Sequence, residues 1–131
     1  MLECGAMRFR VLQVVVLGVA VVSMGTQAEP VISEFVAKNL AGILDEDAGH
    51  GDWVEIHNPT AVVQDMNGWY LTDSATNKTK WSFPAVTIEA GGFLLVWADN
   101  KNRRVAGSPL HANFALDNSG EYLGLIRPDG V

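Results

Sequence analysis

Cysteine, histidine and positive charge are all scarce in this chain of 131 residues. The single cysteine, Cys4, lies at the extreme N-terminus. An internal disulfide is therefore excluded, and so is a thiolate nucleophile anywhere downstream. Nine lysines and arginines face fifteen acidic residues, for a net charge of −6. Such a chain repels phosphate backbones and anionic headgroups at long range, so no nucleic acid partner is expected. The basic cluster at Lys101, Arg103 and Arg104 carries no interleaved aromatics, which agrees with that exclusion. None of Ser33, Ser74, Ser82, Ser108 and Ser119 sits in a G-x-S-x-G elbow, and no glycine-rich phosphate loop occurs. Helical periodicity is almost missing, and no apolar run reaches the roughly 20 residues of a membrane-spanning helix.

What is present begins with a leader. "MLECGAMRFR" carries Arg8 and Arg10, the apolar run Val11–Val22 follows, and small Ala28 closes the segment. Charged start, short apolar middle and small-residue exit describe a secretory signal peptide over residues 1–28. Either Met1 or Met7 can serve as its start. Cleavage after Ala28 leaves residues 29–131 as one small domain, without cysteine and with seven basic against fourteen acidic residues. The expected location is secreted, periplasmic or cell-surface, with no membrane span after cleavage.

The body reads as strand after short strand. "VISEFVA" (31–37) is β-branched, with Ile32, Glu34 and Val36 expected on one face and Val31, Ser33, Phe35 and Ala37 on the other. "DWVEIH" (52–57) alternates in the same way and ends at Asn58-Pro59. Asn67-Gly68 predicts a hairpin joining "AVVQDM" to "WYLTD". Gly91-Gly92 predicts a second hairpin turn, leading into "FLLVWAD", an apolar run suited to a central strand. "LHANFAL" and "EYLGLIR" follow, with turns at Asn118–Gly120 and Pro128–Gly130. Turn signals every 8–12 residues or so point to an antiparallel β-sandwich. "EYLGLIR" carries apolar residues on both faces and "PDG" sets up a returning strand, so the fold is expected to lack its last strand.

Six blocks in order, "VISEFVAKN", "LDEDAGHGDWVEIHNPT", "MNGWYLTD", "KWSFP", "AGGFLLVWAD" and "SGEYLGLIRPDG", resemble the lamin tail domain, most closely its bacterial secreted versions. The resemblance implies an immunoglobulin-like β-sandwich with no catalytic residues. It also implies a module that commonly stands beside hydrolase, nuclease or phosphatase domains, with a further strand after the "PDG" turn.

Three stretches compete as sites. In "DWVEIHNPT", Trp53, Glu55 and His57 share one strand face and Val54 and Ile56 the other. With His50 and Asp52 this pattern suggests a metal centre, but it meets only one requirement of tetrahedral zinc. It reads as framework. In the loop "LDEDAGHGD", Asp45, Asp47 and Asp52 are candidate Ca²⁺ ligands. The EF-hand spacing fails there, and the loop reads as solvated charge; no cofactor is expected. Of the tryptophans Trp53, Trp69, Trp81 and Trp97, Trp81 lies between Lys80 and Ser82 and is the candidate for an exposed carbohydrate-stacking ring. The sequence thus reads as a non-catalytic extracellular binding or structural module, whose partner is an unidentified protein or a cell-surface or carbohydrate ligand. The alternative is the N-terminal fragment of a larger exported hydrolase or nuclease.

Overall fold

Period-two alternation decides where the core sits. Strand β2 (Asp52–His57) turns Val54 and Ile56 inward, both fully buried, and leaves Trp53, Glu55 and His57 on the opposite face. The computed structural model describes residues 28–131; the expected leader, apart from its last residue Ala28, lies outside them. Antiparallel β2 pairs on one side with β1 (Val31–Val36) and on the other with β7 (Phe93–Ala98). Beyond β7 lies β8 (Leu110–His111), so the four-stranded sheet has the order β1-β2-β7-β8. The β7–β8 pair is parallel, a departure from the all-antiparallel expectation. It follows from a crossover, because the loop after β7 carries the chain back before β8 is laid down.

The opposing layer is smaller. It contains β4 (Tyr70–Thr72) between β5 (Trp81–Ser82) and β9 (Gly124–Ile126), with β3 (Gln64–Asp65) and β6 (Thr87–Ile88) as a separate pair. Val54, Ile56, Val96, Ala98 and Leu110 of the large sheet pack in one cluster with Met66, Trp69, Leu71, Trp81, Phe83 and Ile88. Each large aliphatic side chain so buried stabilises the fold by about 1.5–3 kcal/mol.

Several local expectations are corrected. Asn67-Gly68 does make a turn, with Gly68 at φ 81° and the Trp69 N–H donating to Met66 O at 3.1 Å. It joins β3 to β4, which pair with different partners, so the turn connects sheets and is not a hairpin. Gly91-Gly92 likewise turns the chain, but β6 pairs with β3 and β7 with β2. In β1 a bulge at Ser33 shifts the register: Ile32 faces Ile56, Glu34 faces Glu55 and Phe35 faces Val54. The extra residue breaks the alternation, so Ile32 and Glu34 do not share a face. "LHANFAL" and "EYLGLIR" are strand only at Leu110–His111 and Gly124–Ile126. The Tyr122 ring folds over Gly124, where a Cβ would stand 2.7 Å from the Tyr122 hydroxyl and would have to displace that side chain.

Trp81 is also corrected. It is 2% exposed and meets Phe83 edge-to-face at 5.0 Å between ring centroids. Pairing with Leu71 of β4 points the indole into the sandwich, which its polar neighbours Lys80 and Ser82 conceal in the sequence. It offers no ring face to a sugar.

Candidate functional site

The outer face of the large sheet has two different ends. At one end His57 stacks on Phe93 with centroids 4.4 Å apart, and Phe93 stays 60% exposed. Nearby, Glu55 accepts a 2.7 Å hydrogen bond from Ser33 Oγ. Trp53, Glu55 and His57 therefore share a face as expected, and their contacts are those of a sheet surface. At the other end Trp53, Trp97 and His111 stand side by side across three strands. There Trp97 and His111 are buried, at 5% and 0% exposure, because the loop of residues 38–51 lies over them. Gly51 fits against the Trp97 ring and Asp99, where a Cβ would stand 3.1 Å from the Asp99 carboxylate.

That loop is built in detail. Asp52 Oδ1 accepts the backbone N–H groups of Lys38 and Asn39 at 2.7 and 2.9 Å. Buried Asn39 donates to the carbonyls of Ile43 and Gly51 at 2.8 and 3.0 Å, and its own oxygen accepts the Gly42 N–H. Gly42 comes so close that a Cβ there would stand 2.5 Å from Asn39 Oδ1. Asp45 closes a tight turn by accepting from the N–H groups of Gly49 and Asp47 at 2.7 and 3.0 Å. Among the described residues, four non-glycine residues have positive φ: Lys38, Ala48, Asn100 and Asn102. All lie in this loop or in the β7–β8 crossover beneath it. Such conformations cost of order 1–3 kcal/mol each and persist where the surroundings over-determine them.

Charge joins the two segments. Lys101 Nζ binds Asp45 Oδ2, lies 2.9 Å from Asp47 Oδ2 and stands 3.4 Å from Asp99 Oδ2. Arg103 reaches Glu46 at 2.6 Å and Asp47 at 2.7 Å. His111 lies beneath, with Nδ1 2.9 Å from Asp99 Oδ2 and Nε2 2.9 Å from Glu46 Oε1. The Lys101 hydrogen bond, opposed by burial and helped by the Gly49 and Asp47 N–H groups, holds the Asp45 carboxyl below its ordinary value. Partial burial raises Glu46, but its own backbone N–H, Arg103 and His111 together bring it below the ordinary value. Arg103 and then Lys101 pull Asp47 down to about 2. Reciprocally, Asp45 and Asp47 raise Lys101.

The candidate Ca²⁺ ligands are thus divided. Asp45 and Asp47 meet at Lys101, while Asp52 is turned away to cap Lys38 and Asn39. Among the described residues, Asp45, Asp99 and His111 are close enough together to hold a metal ion. Lys101 already supplies a cation to both of those carboxylates. The expectation of a merely solvated loop is corrected for Asp45, whose side chain is 1% exposed. Sequence reasoning also passed over His111 and Glu46, which are 65 residues apart. The only local signal was a histidine set between apolar Leu110 and Ala112.

Two β-layers around one core, with no helix among the described residues, define an all-β, immunoglobulin-like sandwich. A family model described as Lamin Tail Domain matches residues 24–131, and the chain belongs to that family. The family is a non-catalytic immunoglobulin-like domain. Searches of curated proteins and of solved structures find no match.

Proposed function

We propose that this chain is an exported, non-catalytic binding or structural module that displays the loop of residues 38–51 to a protein or cell-surface partner. One observation carries the reading. The loop contributes two of the positive-φ residues, Lys38 and Ala48, and the carboxylates Asp45, Glu46 and Asp47 that tie it to the β7–β8 crossover. It turns Leu40, Ile43 and Leu44 outward at 72, 48 and 51% exposure. Loops held on a rigid scaffold are where binding residues concentrate. Large aliphatic side chains near the centre of an interface supply affinity by losing water. The leader pattern from Arg8 to Ala28 supports export.

The test has two arms. Mass spectrometry of the exported fraction should find an N-terminus at Glu29; an intact leader on a cytosolic protein refutes export. Replacing Leu40, Ile43 and Leu44 together by Ser should abolish retention of the purified chain on native cell envelopes while leaving the melting temperature unchanged. Retention undiminished by the triple substitution refutes the display role of the loop.

A further inference from the structure

The outer face of the large sheet is covered at one end, where the loop of residues 38–51 lies over Trp97 and His111, and is left open at the other. The register sets two rows across β1, β2 and β7 on the open part. Val31, His57 and Phe93 form the first row, with Val31 and Phe93 exposed. Glu34, Glu55 and Leu95 form the second, two residues away along β2 and so about 7 Å from the first. Trp53, half-buried, stands beyond the second row.

Two carboxylates thus sit opposite one another among aliphatic and aromatic side chains. Like charges directly opposite on neighbouring strands oppose folding. The bulge at Ser33 is what brings them together. Without it, counting on from the Ile32–Ile56 pair, Ser33 would face Glu55 and Glu34 would face core Val54. Bulges re-aim side chains in this way beside functional surfaces. Ser33 Oγ donates to Glu55 Oε1 at 2.7 Å, which satisfies one of the oxygens. Among the described residues, no lysine or arginine forms an ion pair with either glutamate.

We propose that this open sheet face docks a protein segment carrying an arginine beside an apolar side chain. A guanidinium is planar and has N–H groups enough for both carboxylates, and it lies readily against an aromatic ring. Phe93, stacked on His57, offers that ring. The apolar side chain of the partner covers Val31 and Phe93 and is drawn there by the water it displaces. The spacing between the two rows is that of alternate residues in an extended chain. A calcium ion fits the pair less well, because it takes about 6–8 oxygens. Among the described residues, no third ligand joins Glu34 and Glu55 in a group close enough to hold a metal ion. The net charge of −6 attracts a basic partner at long range. This face is separate from Leu40, Ile43 and Leu44, and its role does not depend on theirs.

The experiment titrates the full chain, isotopically labelled, with the capped peptide Leu-Ser-Arg-Ser-Leu, followed by NMR. The control peptide carries citrulline for arginine, which keeps the shape and loses the charge. Saturating amide shifts should be confined to the open ends of β1, β2 and β7, around Glu34, Glu55 and Phe93. Affinity should fall by roughly fivefold or more with citrulline, and likewise in Glu34→Gln and in Phe93→Ser. Joint replacement of Leu40, Ile43 and Leu44 by Ser should leave it unchanged, which separates this face from the loop. Because Glu34 is held against a like charge, Glu34→Gln should also raise the melting temperature of the free chain by a few degrees. Absence of saturable shifts at millimolar peptide overturns the proposal, and so does equal binding of the citrulline peptide. Calcium chloride alone moving the same amides to saturation would make the pair a cation site instead. The same shifts on concentrating the chain without peptide would make the occupant a second copy. A lower melting temperature for Glu34→Gln would show that Glu34 stabilises the fold where it stands, against the argument from the bulge.

Discussion

Asp45, with a side chain 1% exposed, is bonded through Oδ2 to the ammonium of Lys101, 56 residues further along the chain. The pair ties the long loop to the crossover. Removing one partner of a buried pair leaves the other charge without compensation. Lys101→Met should therefore destabilise the fold, by about 2 kcal/mol. This is less than for a wholly buried pair, because Lys101 is 29% exposed and Asp45 keeps its two backbone donors. Urea denaturation of Lys101→Met, Asp45→Asn and the double variant measures it. The double loss should fall short of the summed single losses; strict additivity would show that the two side chains do not couple.

Acid should weaken the same tie. The carboxyls of Asp45, Glu46 and Asp47 lie below their ordinary values in the folded chain, Asp47 at about 2. Fewer protons are bound by the folded than by the unfolded form, so their contribution is present above the ordinary carboxylate range of about 4. It is lost as pH falls from there toward 2, where Asp47 protonates in the fold. Denaturation followed against pH should show this slope, flattened in Asp47→Asn. Equal slopes in the two chains would remove Asp47 from the account.

Trp81 belongs to the core and should behave so. Trp81→Ala should cost about 3–5 kcal/mol through lost burial and the cavity left behind. Trp81→Phe should cost far less, since it keeps an aromatic ring beside Phe83 and removes an Nε1–H that has no hydrogen-bond partner. Equilibrium unfolding separates the two. Trp81→Phe as damaging as Trp81→Ala would mean that the indole nitrogen is satisfied after all.

The β9 edge invites a strand. β9 pairs only with β4 among the described residues, and Phe35, in register with core Val54, is 56% exposed beside Leu123. The Arg127 N–H donates to Val131 O at 3.1 Å, which already forms the first rung of a returning hairpin. Appending a strand of alternating Val and Thr after Val131 should raise the melting temperature, by about 4–8 °C for each kcal/mol gained. Thermal melts with light scattering compare the two chains. Equal melting temperatures, with both chains monomeric, would show that this edge needs no neighbour.

Inner and outer faces were legible where a strand is regular. Val54 and Ile56 against Trp53, Glu55 and His57 follow from period two alone, and the order of strands and turns sufficed for a β-sandwich. Pairing was not legible. Asn67-Gly68 marks a turn from local backbone preference, but which strands lie beside β3 and β4 is set by distant partners. Trp81 sits between two polar residues, and only its pairing with β4 turns it inward. The charged cluster was legible in part. Asp45 and Asp47 stood out as an acidic loop, whereas their cations and His111 lie beyond residue 100 and meet them only in the folded chain.

The bulge at Ser33 has a consequence for how this chain behaves in company. β1 is an outer strand of the large sheet, with one row of backbone groups turned away from β2. A straight, apolar outer strand serves as a template on which another chain can grow. Here the extra residue puts donors and acceptors out of step between Ile32 and Glu34, and Glu34 adds a negative charge beside the break. An incoming copy that matches the ladder on one side of the bulge is mismatched on the other. Restoring regular spacing by deleting Ser33 should therefore make concentrated solutions more prone to seeded fibre growth, with the bulge acting in the native chain as the guard against it.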